Sequence, residues 1–391
     1  MKRIGLTVLL CLCIANAGYS VDFGLLLNQT PEYNQGGFSY SGGFSPWFSA
    51  VLGKQIDLFI SGNFKLDYDQ NEFYFVPELG RTQLTFQPSS ALLFELGRIP
   101  FNNFNTLIAS GFFDGIRGII STNDFQFSIN GLYSGLLQKN TANINISADD
   151  VMEISDPDHY FASKRVLVSM SLGFPSVFSS RNSLDLGVLG QFDLRDSGKV
   201  HSQYATASFH FNFASPFAID LSGIFSLVEP EGSDIKMGGA ASADVIWQLP
   251  TKAQDRLLIG ANWSSGAKDT TSLPFQPINN MDQGQILSAK MSALMTIKAG
   301  YTIRIIENLS LNASGIYFLR TDLTTYEDSG LDPASDSYLL GGEFYGSLLW
   351  APFSDLSLIL NGGAFLPSLG KAFSSDAPAQ WKIGLTLIFS I

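Results

Sequence analysis

The segment Trp381-Lys382-Ile383-Gly384-Leu385-Thr386-Leu387-Ile388-Phe389-Ser390-Ile391 decides how the chain is read. Trp381, Ile383, Leu385, Leu387, Phe389 and Ile391 share one face. Lys382, Gly384, Thr386 and Ser390 share the other, with Ile388 the one exception. Alternation of this length predicts a strand with one apolar and one polar face. The same pattern recurs at Leu309-Leu311-Ala313-Gly315-Tyr317-Leu319, at Met291-Ala293-Met295-Ile297-Ala299-Tyr301 and at Phe125-Phe127-Ile129. It returns in Leu184-Leu186-Val188 with Phe192, and in Ile219-Leu221-Gly223-Phe225-Leu227. The residues between are mostly Ser, Asn, Thr, Gln, Asp and Lys. A soluble sandwich also alternates, but it sets more Lys and Glu on its wet face.

Composition agrees. The 391 residues are 45% hydrophobic, 13% aromatic and only 15% charged, with 37 Gly. Soluble domains carry about 25% charged residues. Disorder is excluded by the apolar and aromatic content. After the first 20 residues, no stretch nears the roughly 18 consecutive apolar residues that a membrane helix needs. An ordinary soluble enzyme fits poorly.

Residues 1–17 read as a signal peptide. Lys2 and Arg3 open it, an apolar run spans Ile4 to Ile14, and Ala15-Asn16-Ala17 places cleavage before Gly18. The run is too short for a membrane anchor. Cys11 and Cys13 both lie inside it, and Leu10 and Leu12 precede them where a lipoprotein needs a small residue. The expected mature chain, 18–391, has no disulfide and no thiolate chemistry. Removing Lys2 and Arg3 from 23 basic residues leaves 21 against 35 acidic ones, a net charge of −14. Nucleic acid is not an expected partner of so acidic a chain.

Turn positions give the architecture. Tight connections are expected near Gly53-Lys54-Gln55, Pro88-Ser89-Ser90, Ser121 to Asp124, Ser180-Arg181-Asn182 and Ala214-Ser215-Pro216. They continue at Pro250-Thr251-Lys252, Ile306-Glu307-Asn308 and Pro352 to Asp355. The intervening connections are longer: Thr30 to Gly36, Ile99 to Phe113, Gln138 to His159, Gly266 to Gln285, Thr321 to Asp336 and Pro367 to Ala379. One short-turn rim and one long-loop rim describe an all-β, transmembrane, antiparallel up-and-down barrel of the bacterial outer membrane, with periplasmic turns and external loops. The spacing gives about 18 strands, an even number as such barrels require. Ser39 to Trp47 and Asn71 to Leu79 alternate poorly. Aromatic residues beside the short turns, Trp47, Phe48, Phe86, Phe174, Phe211, Phe213, Phe217, Trp247 and Trp350, are expected to form an interfacial girdle.

The last strand resembles the assembly signal of outer-membrane barrels, which reads polar-x-Gly-x-x-apolar-x-apolar. Lys382, Gly384, Leu387 and Phe389 carry it, although the chain ends in Ile391 where an aromatic residue is usual. The resemblance implies the barrel-assembly machinery and outer-membrane lipid as partners. Over its whole length the chain resembles general porins. Leu96-Gly97-Arg98 and Phe113-Asp114-Gly115-Ile116-Arg117-Gly118 are similar to the Gly-Arg and Asp-Gly-x-Arg segments of porins and of alginate-export barrels, which also have 18 strands. Alternation starts almost at once after the leader, so no N-terminal plug domain is expected.

A barrel this wide leaves an aqueous channel. Parity turns Lys65, Arg81, Arg117, Lys236, Lys290, Lys298, Arg320 and Lys382 inward, with Asp57, Asp185, Asp220, Asp244 and Glu343. Such pore-lining charges of mixed sign orient polar solutes without strong ion selection. The loop starting Phe101-Asn102-Asn103-Phe104 is too apolar to stand in water and is expected to fold inward as a constriction, to cap the mouth, or to touch a neighbouring subunit.

Chemistry is thinly supported. His159, His201 and His210 form no motif, and His210 beside Ser208 and Asn212 is an expected lumen residue. Asp149, Asp150, Glu153, Asp156 and Asp158 lack calcium-loop spacing and read as solvated surface. No cofactor, metal or catalytic residue is expected. The leading reading is a passive porin in the bacterial outer membrane for small polar solutes, with monomer and homo-oligomer both open. A structural or adhesive surface protein stands second and an outer-membrane enzyme third.

Overall fold

The computed structural model describes residues 20–69, 72–103, 106–213, 216–267, 272–279, 281–326, 328 and 330–391. The leader read over residues 1–17 lies outside this set, as does Phe104. The first six strands are β1 Ser20–Asn34, β2 Gly37–Val51, β3 Ile56–Asp69, β4 Glu72–Ser89, β5 Leu92–Asn102 and β6 Ser110–Ser121. Then follow β7 Gln126–Tyr133, β8 Arg165–Phe174, β9 Ser183–Asp193, β10 Val200–Asn212, β11 Phe217–Pro230 and β12 Lys236–Gln248. The last six are β13 Arg256–Ser264, β14 Leu294–Ile306, β15 Leu309–Arg320, β16 Leu339–Phe353, β17 Leu356–Leu366 and β18 Gln380–Ser390.

Each strand pairs antiparallel with its sequence neighbours, and β1 pairs with β18, closing an 18-stranded barrel. Closure leaves no edge strand. At the seam Leu27 faces Phe389 and Tyr33 faces Ile383. The pairing continues to the last residue, where Ile391 and Leu25 exchange both backbone hydrogen bonds at 2.9 Å. No described helix is long and apolar enough to cross a membrane. The strands carry an outward apolar band instead. Phe94, Ile129, Val188, Leu221, Ile297, Phe344 and Leu385 are all exposed, a surface that suits lipid.

The two rims differ as the turns predict. Five of the tight turns fall where expected; the connections β8–β9 and β12–β13 are longer, spanning 175–182 and 249–255, and Ala214 and Ser215 of the remaining one lie outside the described residues. On the opposite rim the connections are 35–36, 70–71, 103–109, 134–164, 194–199, 231–235, 265–293, 321–338 and 367–379.

Several expectations are corrected. Thr30 to Gly36 is no long loop: β1 runs through Pro31 to Asn34, and the Asn34 side chain accepts the Gly36 amide at 2.7 Å before Gly37 takes φ +112°. That is turn chemistry overriding a break in alternation. Ser39 to Trp47 belongs to β2, and residues 72–79 belong to β4. β5 and β6 extend further than expected, so the inward loop is residues 103–109 only. β14 starts at Leu294, which leaves Lys290, Met291 and Ala293 in a loop. Trp47 faces inward, where it stacks on Phe59 at 6.1 Å, while the other girdle residues on strands face outward. A second aromatic belt lies near the loop rim, with Tyr33 on Trp381 at 5.8 Å and Tyr68 on Phe73 at 4.7 Å.

Candidate solute channel

The inner wall is built from strand register. Glu95, Arg117, Asn130 and Ser169 are successive cross-strand partners on β5 to β8. Arg117 donates to Glu95 at 2.9 Å and to Asn130 at 2.7 Å, and also to the Pro100 carbonyl. Asn130 donates to Ser169 at 2.9 Å. On the other side Gln83 donates to Glu95 at 2.5 Å and accepts from Arg81 at 2.6 Å. Arg81 also lies 5.0 Å from the centre of the Phe59 ring. The Arg117 charge is therefore met by Glu95. Across the barrel, Asp244, Gly260 and Lys298 are in register, and Lys298 pairs with Asp244 at 2.9 Å over the glycine. A Cβ at Gly260 would lie 1.8 Å from the Asp244 carboxylate.

Gly97 takes φ +115°, and a Cβ there would sit 2.0 Å from the Thr82 carbonyl. Arg98 then makes a two-pronged contact with Asp114, at 3.0 and 2.9 Å, and donates to the Leu79 and Leu136 carbonyls. The Gly-Arg and Asp-Gly segments are thus joined as a buried brace between β4, β6 and the loop after β7. Sequence reading passed over this role of Arg98.

Three loops fold into the barrel. Asn103 shapes the first, its side chain accepting the Ile108 and Ala109 amides at 3.0 and 2.9 Å. Phe101 lies inward on β5, edge-on to Phe113 at 6.0 Å, while Asn102 is exposed at the strand end. The loop 265–293 reaches over from the far wall. Ile278 donates to the Ile108 carbonyl at 2.7 Å, and the Asn279 side chain brackets Ser110 through both its amide and its carbonyl. Tyr204 of β10 holds the Gln276 carbonyl at 2.7 Å. The loop 134–164 completes an apolar cluster in which Ile108, Leu137, Ile144, Phe275, Ile278 and Met291 are buried.

Two predicted lining charges serve as loop anchors. Glu343 is buried and accepts the amides of Gln285, Ile286 and Leu287 at 2.7 to 2.9 Å. Arg320 is buried and donates to the Ser337, Ser335 and Leu323 carbonyls at 2.7, 2.8 and 3.4 Å. Lys65, Arg81, Arg117, Lys236, Lys298 and Lys382 stand on inward strand positions, as do Asp57, Asp185, Asp220 and Asp244. Lys290 does not; it sits in the loop 265–293.

The acidic loop is also corrected. Asp150 is fully buried and pairs with Arg165 at 2.7 Å; Arg165 reaches Asp193 at 3.2 Å, and Arg195 meets Asp193 at 2.6 Å. The Ser147 hydroxyl and Asp150 carboxylate form a reciprocal cap at the start of the helix Ala148–Ser155. Burial alone would raise the Asp150 carboxyl. The Arg165 charge and the Ser163 and Ser147 hydrogen bonds outweigh it and hold the group below its ordinary 3.8. The Ser147-x-x-Asp150 spacing was the available sequence signal for a helix start. Nothing local points to Arg165.

Burial around the inner wall is uneven. Every strand from β5 to β17 carries an inward residue shut off from solvent, from Ile99 and Phe113 through Tyr204 to Phe318, Glu343 and Phe365. Among the described residues, no inward side chain on β18, β1, β2 or β3 is buried. A cavity of about 390 Å³ remains beneath the loop 103–109, lined by Asn102, Arg117, Ser128, Ser171, Asp185 and Thr206 among others.

The assembly-signal residues divide by face. Lys382 points inward to Glu32 at 3.6 Å, Gly384 is inward and buried, and Leu387 and Phe389 point outward. No group of His, Cys, Asp or Glu among the described residues is placed to hold a metal ion.

No protein-family model matches the chain, and no curated protein matches it in sequence. Solved structures do. OccK5 (OpdH) of Pseudomonas aeruginosa is similar with TM-score 0.65 at 9% identity, over 95% of this chain and 98% of that one. The outer membrane protein OpdK of the same organism gives 0.63 at 11% identity, over 95% and 99%. OprD of Pseudomonas aeruginosa gives 0.63 at 12% identity, over 95% of each chain. These likenesses span nearly the whole of both chains, and together with the closed 18-stranded sheet they establish that this chain has the barrel fold of the OprD and Occ proteins.

Proposed function

We propose that the chain is a porin of the bacterial outer membrane, a passive channel for small polar solutes. The observation that carries this reading is the combination of an exposed apolar outer band with a hydrated inner sector on β18 to β3. Lipid covers the first, and water fills the second. The fold it shares with OpdK, an outer membrane protein, supports the location.

In this reading residues 1–17 direct export and are removed before Gly18. The short turns are periplasmic and the long loops external. Lys382, Gly384, Leu387 and Phe389 present the last strand to the assembly machinery. Lys65, Arg117, Lys298 and Asp244 face the lumen in ion pairs, and Arg81 donates to Gln83 over the Phe59 ring; together they hold its shape and polarity. Asn103 belongs to the inward-folded constriction, which Phe101 and Asn102 at the end of β5 flank. The inner wall is built largely of ion pairs and small polar side chains, as a solute channel requires.

Refolded protein in a planar bilayer tests this directly. Stepwise, ohmic conductance and swelling of liposomes in small sugars are expected. A folded, heat-modifiable barrel that never conducts would replace the channel with a structural surface role.

A further inference from the structure

We infer that solutes cross this barrel along one sector of its wall, formed by β18, β1, β2 and β3, beside the folded-in loops and not between them; this rests on the porin reading. The reason begins with connection length. β1–β2 and β3–β4 are joined by only two residues each, too short to reach across a lumen. The loops that do reach in arise from β5 onward, and each strand from β5 to β17 has at least one inward residue buried. Their lateral bond, Ile278 to Ile108, joins walls on nearly opposite sides, since β6 and β14 are eight strands apart in an 18-stranded ring. At the level of the folded-in loops, the remaining arc is the one they leave open.

The chemistry of that arc names the solute class. Lys382 pairs with Glu32 at 3.6 Å, and Lys65 with Asp67 at 3.9 Å, the latter pair with side chains 49% and 34% exposed. Ser41 donates to Asp67 at 2.6 Å, and the Thr30 and Thr386 hydroxyls meet at 3.1 Å. These two cations and two anions form two local pairs, while the inward Asp22 and Asp57 lie apart from them toward the short-turn rim. At the level of these two pairs a carboxylate or an ammonium gains no net charge partner, whereas a hydroxyl can donate and accept at each step. The sector suits small, uncharged, hydroxyl-rich solutes.

Single cysteines test the path, because the sequence holds no cysteine after Cys13. Ser41→Cys lies in the hydrated sector, and Ser128→Cys lies in the cavity under the loop 103–109. Both are labelled in a bilayer with a bulky, charged methanethiosulfonate, and labelling is verified by mass. Conductance of labelled Ser41→Cys should fall by about twofold or more, with labelled Ser128→Cys nearly unchanged. Block at Ser128→Cys alone, at both positions or at neither overturns the path. Proteins that conduct nothing before labelling overturn the porin reading itself, which separates the two failures. For the solute class, liposome swelling in glucose should outpace gluconate and glucosamine; a faster charged sugar overturns it.

Discussion

The backbone amide of Ile278 donates to the carbonyl of Ile108 at 2.7 Å, so two loops from facing walls meet inside the barrel. Each loop is short of surface to bury alone. Together they exclude water from Ile108, Ala109, Phe275 and Ile278, and that burial, about 1.5–3 kcal/mol for each large side chain, offsets part of the loss of loop freedom. The crossing is a fixed partition of the lumen.

Asn279→Ala should loosen this partition. The native side chain satisfies both the amide and the carbonyl of Ser110, and leaving a buried polar group unpaired costs about 1–3 kcal/mol. The barrel should stay folded, because no strand pair is touched. Hydrogen exchange at Ile278 should quicken, and single-channel traces should flicker to larger levels. Steady traces with unchanged exchange would count against a partition held by Asn279.

Glu343→Ala should be more severe. Three amides, of Gln285, Ile286 and Leu287, lose their acceptor in a buried site. A destabilisation on the order of 3 kcal/mol or more in that loop is expected. Added protease should cut near residues 281–293 in the variant and spare the parent protein. Glu343→Gln should fall between the two, because an amide oxygen accepts but carries no charge. Equal resistance in all three proteins would remove Glu343 as the anchor.

The barrel was legible because strands report themselves locally. Trp381 to Ile391 alternates whatever its neighbours do, and the loop Pro367 to Ala379 is bounded where the sequence places it. Inward parity was equally legible for Lys298 and Asp244. What could not be read was the state of an inward charge. Glu343 and Arg320 obey the same parity as Lys65, yet loops cover them, a distant one over Glu343 and the adjoining 321–338 over Arg320. The acidic run around Asp150 looked solvated because its partner, Arg165, stands beyond the helix it stabilises. Lys290 followed the alternation of Met291 and Ala293, but those two face a loop cluster and not lipid.

Acid should unlatch the loop 134–164. The Asp150 carboxyl is held below its ordinary 3.8, so its contribution is complete above that value and disappears as pH falls through the lowered one. The exposed stretch around Val151, Met152 and Asp158 should be open to external protease at neutral pH. Buried Leu137 and Ile144 should become cleavable only below pH 3.8. Asp150→Asn should expose them at neutral pH, because Arg165 is left underpaired in a buried site at about 3–5 kcal/mol. Release of the loop at pH 6 would contradict this latch.

Phe389→Asp should impair assembly. The side chain points to lipid beside Leu27 and Leu356 on the adjoining strands. A charge on the lipid face costs up to about 2–4 kcal/mol at the midplane, and less for Asp or near an interface. Outer-membrane fractions should contain little of the variant, with degraded chain in the periplasm. Ser390→Asp, on the inward face of the same strand, should insert normally. Equal insertion of both variants would dismiss the last strand's apolar face as the signal.

Lys382→Gln and Arg117→Gln should separate selectivity from support. Both remove one inward positive charge opposite one carboxylate, Glu32 and Glu95 respectively. Lys382 borders the hydrated sector, so its loss leaves Glu32 facing the passing solution. The potassium-over-chloride permeability ratio should rise roughly twofold, with thermal stability almost unchanged, as suits a part-exposed pair. Arg117 braces Asn130 and the Pro100 carbonyl as well as Glu95. Its removal should lower the unfolding midpoint, at a cost on the order of 3 kcal/mol, while the permeability ratio barely moves. Reversal potentials under a salt gradient and heat-modifiability on gels read the two effects separately. If Arg117→Gln instead shifts the ratio and Lys382→Gln does not, ions pass beneath the loop 103–109, and the hydrated sector is a dead end.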